Sequence, residues 1–455
     1  MKNTKEIIKH LEEETGKRFR EIKFNINAWI FDDFARYELN EAGEIVKIKL
    51  TKANLQKVPE IISEITSLRE LSLEENKLSR LPKSMEKLTE LRYLNLAYNN
   101  FTEFSERIAG FEKLQTLDLT NNRIMHLPCK ASKLQSLLEL NLSRNYFEDL
   151  PTCIKSFSNL YYLNLSQTGI STLPDGLKKL KNLQELDLSN NKISVIPPVL
   201  SKLKKLYRLY LNGNLIETIT DDLSEAKKLE FLNLGFNNIQ EIPKSFGNFK
   251  KLRTLSIDYN KIQKLPAEFS KLQILRKIDF AGNPFREIPI PIFKLKQLEE
   301  LNLMETGIKS IPPTINKLQN VRMLLLMNNE ISDLPLELFE LHNLRHLELG
   351  FNKIKMIPQE ISQLKSLEIL SFAYGNAISF LPKSISKLVN LIELDLSGNN
   401  FKIIPEFLLG MKLEVLWDEA NYGIIFHDNP LTFPPPEILV EGKDAVIKFF
   451  EDNNN

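Results

Sequence analysis

From Ile45 onward the chain repeats one pattern of apolar and polar positions, L-x-x-L-x-L-x-x-N-x-L-x-x-L-P, every 23 residues. The first apolar residue of each copy falls at Ile45, Leu68, Leu91, Leu114, Leu137, Leu160, Leu183, Leu206, Leu229, Leu252, Leu275, Leu298, Val321, Leu344 and Leu367, and a step of 24 reaches Leu391. In the copy from Leu183, the alternation of Leu186 and Leu188 predicts a short strand with one buried face and Asp187 turned to solvent. The chain then turns at Asn191, Ile193 and Ile196 re-enter the core, and Pro197 stops further pairing. Met85, Leu88 and Leu91 lie three apart, which suits a short helical or 3₁₀ stretch on the opposite side. One copy cannot bury its own leucines, so stacked copies must share a core and pair their strands into a parallel sheet. The expected fold class is α/β. It is a curved solenoid arch with a parallel sheet on the concave face and short helical, 3₁₀ or extended segments on the convex face, capped at both ends.

The ninth position is asparagine at 76, 99, 122, 145, 191, 214, 237, 260, 283, 329, 352 and 399. A turn buried between stacked copies leaves backbone groups in need of partners, and an inward amide both donates and accepts. The column is therefore read as structural. Thr168 and Thr306 replace it, Ala53 opens it, and the extra residue at Gly375-Asn376-Ala377 predicts a small bulge with Asn376 at its apex.

The ends depart from the pattern. Residues 4–15 read as an amphipathic helix with Ile7, Ile8 and Leu11 on one face and Gly16 as its stop. Phe19 to Ile26 alternates like a strand. Arg36–Leu39 and Ile45–Leu50 flank Asn40-Glu41-Ala42-Gly43, a hairpin signal. Leu413 and Leu416 begin a strand, Trp417 to Asp428 carries an insertion, and the repeat resumes through Asn429. After Pro434-Pro435-Pro436, Gly442 to Asp452 reads as a closing helix with Val446, Ile447, Phe449 and Phe450 inward. The expected division is an N-terminal cap over 1–44, sixteen repeats over 45–412, and an irregular last repeat with a capping helix over 413–455.

Composition narrows the function. With 60 basic and 59 acidic residues the net charge is +1, so no global field favours nucleic acid or an anionic membrane. No apolar leader and no apolar run of about 18 residues occurs, so membrane insertion is not expected. Only Cys129 and Cys153 are present, which suggests free thiols and a cytoplasmic location. The five histidines are scattered without metal-ligand spacing, and no nucleophile–base arrangement stands out. No catalytic residue, cofactor or metal is expected.

Residues between the inward leucines predict what the concave face displays. One group combines Met304, Arg322, Met323, Leu325, Met327, Arg345, His346 and Phe351, where apolar residues collect on solvated sheet positions. Cross-strand packing alone is the competing explanation. A second group gathers Tyr161, Tyr162, Tyr207, Tyr210, Phe231, Phe236 and Tyr259, interrupted by Gln184, Glu185 and Asp187. Arg20-Glu21-Ile22-Lys23-Phe24 fits a loose pattern for strand addition to type 1 phosphatases, and the same alternation suits a buried cap strand.

The pattern, with Leu-Pro or Ile-Pro closing most copies, resembles the intracellular leucine-rich repeats of the Ras-suppressor group, which includes plant Ras-group proteins and the repeats of Scribble and Erbin. This resemblance spans residues 45–410. The stretch Asn429-Pro-Leu-Thr-Phe-Pro-Pro-Pro through Lys448-Phe-Phe is similar to the segment that joins repeats to the GTPase domain in Roco proteins, but no phosphate-loop motif GxxxxGK[ST] is present. The resemblance implies a leucine-rich repeat solenoid acting as a non-catalytic, monomeric scaffold or adaptor in intracellular signalling, with a protein partner such as a small GTPase on its concave face. The alternative is the regulatory or substrate-recognition arm of a separately encoded small GTPase, Roco-like GTPase or phosphatase.

Overall fold

The structure is a computed structural model that describes residues 3–21, 35–127, 134–147, 149–150, 152–416 and 422–453. Ile22, Phe24 and Cys129 lie outside these residues, as does the side chain of Cys153, so the phosphatase-like pattern and the thiols carry no structural account. The chain forms two compact units, Met1–Ile216 and Glu217–Asn455.

The first unit opens with helix α1 (Thr4–Thr15), whose start is fixed by a reciprocal cap. Asn3 accepts from the Glu6 N–H at 2.9 Å, and the Glu6 carboxylate accepts from the Asn3 N–H at 3.1 Å. Gly16, at φ +67°, ends the helix, and Ile7, Ile8 and Leu11 are buried. Strand β1 (Phe19–Glu21) lies parallel to β2 (Ala35–Leu39), which forms an antiparallel hairpin with β3 (Ile45–Lys49). The Asn40 side chain closes that hairpin by accepting from the Ala42 and Glu44 N–H groups.

Parallel pairing then proceeds one repeat at a time. Strands β4 (Glu70–Ser72), β5 (Tyr93–Asn95), β6 (Thr116–Asp118), β7 (Glu139–Asn141), β8 (Tyr162–Asn164), β9 (Glu185–Asp187) and β10 (Arg208–Tyr210) follow β3. Each leucine meets its counterpart 23 residues on, as Leu71 does Leu94 and Leu163 does Leu186. Between strands, short 3₁₀ turns such as Lys83–Lys87 and Asp175–Lys179 put Met85 and Leu177 into the core.

The second unit continues the plan with β11 (Phe231–Asn233), β12 (Thr254–Ser256), β13 (Lys277–Asp279), β14 (Glu300–Asn302), β15 (Met323–Leu325), β16 (His346–Glu348), β17 (Ile369–Ser371) and β18 (Glu393–Asp395). Phenylalanines reinforce its core: Phe246 meets Phe249 edge-on at 4.9 Å, and Phe280 meets Phe285 at 5.2 Å. After β19 (Val415–Leu416) the chain returns as β20 (Ile424–Ile425), which pairs with both β18 and β19. The resumed repeat thus sits directly against β18, and the strand at 415–416 is displaced to its far side. Helices α2 (Pro436–Val440) and α3 (Lys443–Asn453) follow. Val446 and Phe450 are buried as expected, whereas Ile447 and Phe449 remain partly exposed, with Phe449 edge-on to Phe433 at 5.1 Å.

The asparagine column stitches neighbouring repeats. Asn283, fully buried, donates to the carbonyls of Ile257 (2.9 Å) and Phe280 (3.0 Å) and accepts from the Ile262 N–H (3.0 Å). Where threonine intervenes, the next asparagine compensates: Asn191 Oδ1 accepts from both the N–H and the hydroxyl of Thr168. Asn376 is not the apex of a bulge. It keeps its place in the column, accepting from the Ile354 N–H at 2.9 Å and donating to Leu349 O at 2.9 Å. Two successive left-handed residues, Tyr374 (φ +56°) and Gly375 (φ +69°), absorb the extra residue instead.

Candidate protein-binding face

Each repeat places its strand-flanking side chains at fixed positions, of which the seventh is buried in most repeats, as at Ser189, Asp258 and Ala373. The third and fifth positions stand on the sheet face, the second lies at the strand's start, and the seventh and eighth at its end. The eighth residue is left-handed in repeat after repeat, from Glu75 (φ +54°) to Gly398 (φ +60°).

The methionine group occupies several of these sites. Met323 and His346 are third-position residues, Leu325 is fifth, Arg322 and Arg345 second, Met304 and Met327 seventh, and Phe351 eighth. Register sets Met323 between Glu300 and His346, and Leu325 between Asn302 and Glu348. The apolar patch is therefore narrower than the sequence implies. His346 interrupts it, bonded to Glu348 at 2.6 Å, before Ile369 resumes it on β17. The Met and Leu side chains of this patch are half-buried, whereas Arg322 is exposed. Arg345 is paired with Glu368 at 3.1 Å. Burial, followed by the charge of Asp395, pushes the Glu393 carboxyl above its ordinary range at the next strand.

The tyrosine group divides between the two units. Tyr161, Tyr162, Tyr207 and Tyr210 lie in the first, and Phe231, Phe236 and Tyr259 in the second. In the first unit Tyr161 donates to Glu139, and Asn164 donates to the Tyr162 hydroxyl at 3.3 Å. Glu185 and Asp187 separate β8 from β10, and Arg208 lies 3.4 Å from Glu185 and 5.3 Å from the Tyr207 ring centre. Burial raises the hydroxyl pKa of Tyr162 and Tyr210. In the second unit Phe231 is half-buried on β11, while Phe236 and Tyr259 stack at 4.7 Å at the strand ends.

Three residues of these surfaces escaped the sequence reading: Tyr93 on β5, Ile369 on β17, and Tyr374, which stacks on Phe351 at 5.5 Å. Tyr374 also lies 3.3 Å from His427 through its hydroxyl. Reading the eighth position as a column would have revealed the Phe351–Tyr374 pair. Among the described residues there is no cluster of three or more His, Cys, Asp or Glu able to hold a metal, and no helix long and apolar enough to cross a membrane.

Family models agree with this geometry. Residues 51–161 and 152–234 match a leucine-rich repeat region, and 227–285, 296–354, 319–378 and 342–401 match the leucine rich repeat. No curated protein matches the sequence. A leucine-rich repeat protein of Leptospira interrogans superposes with a TM-score of 0.70 at 30% identity, over 89% of this chain and 93% of that one. The ectodomain of the Arabidopsis thaliana receptor kinase GASSHO1/SCHENGEN3, solved with Casparian strip integrity factor 2, matches with a TM-score of 0.69 at 25% identity, over 90% of this chain and 53% of that one. An internalin of Listeria monocytogenes shares the fold, with a TM-score of 0.58 at 22% identity, over 70% and 91% of the two chains. By its repeat, its asparagine column and these matches, the chain belongs to the leucine-rich repeat family.

Proposed function

We propose that this protein is a non-catalytic interaction scaffold that takes up a protein partner on its sheet face. The observation that carries the reading is the apolar group Met323, Leu325 and Ile369 on strands β15 and β17, continued by Met304 and Met327 at strand ends. Sheet positions facing water ordinarily hold polar residues, and Met side chains adapt readily to a partner's shape. The receptor ectodomain of Arabidopsis thaliana, solved with a bound factor, supports the same use of this fold. The Leu-Pro and Ile-Pro repeat closures further support a place in the Ras-suppressor group, acting as a cytoplasmic signalling adaptor.

The test compares wild type with the triple variant Met304→Glu/Leu325→Glu/Met327→Glu as bait in lysate from the source cell. Circular dichroism establishes equal folding. Retention of a protein by wild type alone is the expected result. Equal retention by both would refute the methionine patch as the contact surface.

A further inference from the structure

The strand ends of the second unit differ in charge from their strand starts. Across the fifth, seventh and eighth positions of the eight repeats from Leu229 to Gly398 there are five carboxylates, Asp258, Asp279, Glu305, Glu348 and Asp395, and not one lysine, arginine or histidine. Cations gather at the other end of the strands, where Arg253, Arg276 and Arg345 are held by Glu230, Glu299 and Glu368 at 3.5, 3.0 and 3.1 Å. On the face itself, Lys277 and His346 are engaged by Glu300 and Glu348, each at 2.6 Å. Past the turn, Arg286 and Lys309 line a hollow together with Glu305 and Glu330.

Aromatic rings stand on this acidic ledge in a repeated arrangement. Phe236 stacks on Tyr259 at 4.7 Å with an interplanar angle of 19°, and Phe351 stacks on Tyr374 at 5.5 Å with the same angle. The eighth position of the next repeat is glycine both times. A Cβ at Gly282 would stand 2.5 Å from the Tyr259 ring, and one at Gly398 2.2 Å from the Tyr374 ring. Each tyrosine therefore rests over a glycine and each phenylalanine over a tyrosine. Phe236 and Phe351 remain 58% and 47% exposed. All four aromatics adopt the left-handed backbone, from φ +46° to φ +56°, where bulky residues are rare. Asparagine takes the same conformation at Asn121, Asn190 and Asn328 without presenting a ring.

We propose that this ledge binds an extended polypeptide segment carrying both cationic and aromatic side chains. The inference rests on the scaffold reading and assigns that scaffold a partner chemistry. An arginine guanidinium or an aromatic ring extends a stack on an exposed Phe face, and arginine is drawn as well by the exposed Glu305 and the half-buried Asp279 and Asp395, Asp258 being buried and Glu348 held by His346. Met304 and Met327 line the interval between the two stacks. Phe236 and Phe351 are five repeats apart, on the order of 24 Å at the usual strand spacing, which about seven extended residues span.

The test pans a phage-displayed library of random 15-residue peptides on the purified full chain, then measures the selected peptides by fluorescence anisotropy. The expected pool is enriched in Arg or Lys together with aromatic residues, about seven positions apart, and its affinity falls as salt rises. Phe236→Asn/Phe351→Asn, which suits the left-handed backbone, should weaken those peptides at least tenfold. A pool without basic enrichment, an acidic pool, or equal affinity for the double variant would overturn the proposal. So would an oligosaccharide that binds these rings in a glycan array while no peptide does. The Met304→Glu/Leu325→Glu/Met327→Glu comparison is read independently, so loss of the ledge reading leaves the scaffold reading standing or falling on its own result.

Discussion

Gly282→Ala tests whether the aromatic stacks are built into the fold. Gly282 has φ +67°, and a left-handed alanine costs about 1–2 kcal/mol. Its methyl group would also lie 2.5 Å from Tyr259 Cδ1, against about 3.5–4.0 Å for an ordinary carbon contact. The tyrosine ring must therefore swing off its seat, which ends its stacking on Phe236, worth about 0.5–1.5 kcal/mol beyond area burial. Gly307→Ala is the matched control. Its φ is +70° and the nearest atom to the added methyl is Arg286 Cγ at 3.9 Å, so only the backbone cost applies. Urea unfolding of both variants, compared at unchanged m value, should show Gly282→Ala less stable than Gly307→Ala by about 0.5–1.5 kcal/mol. Adding Tyr259→Ala should remove that excess, which a double-mutant cycle measures directly. Equal costs for the two glycines, or an excess that survives Tyr259→Ala, would refute the seating of the ring.

Two further perturbations probe the repeat itself. Asn283→Ala leaves the Ile262 N–H and the Phe280 carbonyl without their buried side-chain partner and should cost about 2–4 kcal/mol, seen as faster hydrogen exchange at the Ile262 amide. Asn283→Thr should cost less, because Thr306 shows a threonine hydroxyl donating to the carbonyl three residues back at 2.7 Å. Burial raises the pKa of Asp279 above its ordinary value, so the folded state binds this proton more readily than the unfolded chain does. Its ionisation therefore opposes folding, with the full cost present above the raised pKa and relieved as pH falls toward the ordinary carboxylate value. Asp279→Asn, whose amide oxygen can still accept from the Ala281 N–H, should raise the melting temperature at pH 7 and lose that advantage near pH 4. A gain that persists unchanged at pH 4 would contradict the burial account.

What the sequence made legible follows from what the repeat controls. Leucine at the fourth and sixth positions dictates a strand of one polarity, so register follows from counting, and Leu71, Leu94 and Leu117 do align. Asparagine was legible for the same reason, because only a side chain that both donates and accepts serves that buried turn. The apolar patch was partly legible: Met323 and Leu325 stand on the face, while Ile369 required knowing that His346 and Glu348 close on each other. The aromatic ledge was least legible, since its meaning lies in a backbone conformation. Phe236 and Tyr259 read as two more residues between leucines until the eighth position proves left-handed and Gly282 proves to be the floor beneath Tyr259. The second stack was further hidden by the added residue at Gly375, which moves the matching glycine to 24 residues after Tyr374. The chain restores Phe, Tyr and Gly in the same spatial order across this irregularity, with Asn376 still holding the column. A stack seated this closely cannot end in any residue that carries a Cβ. One that holds an outward phenylalanine face in place needs the tyrosine beneath it and the glycine beneath that.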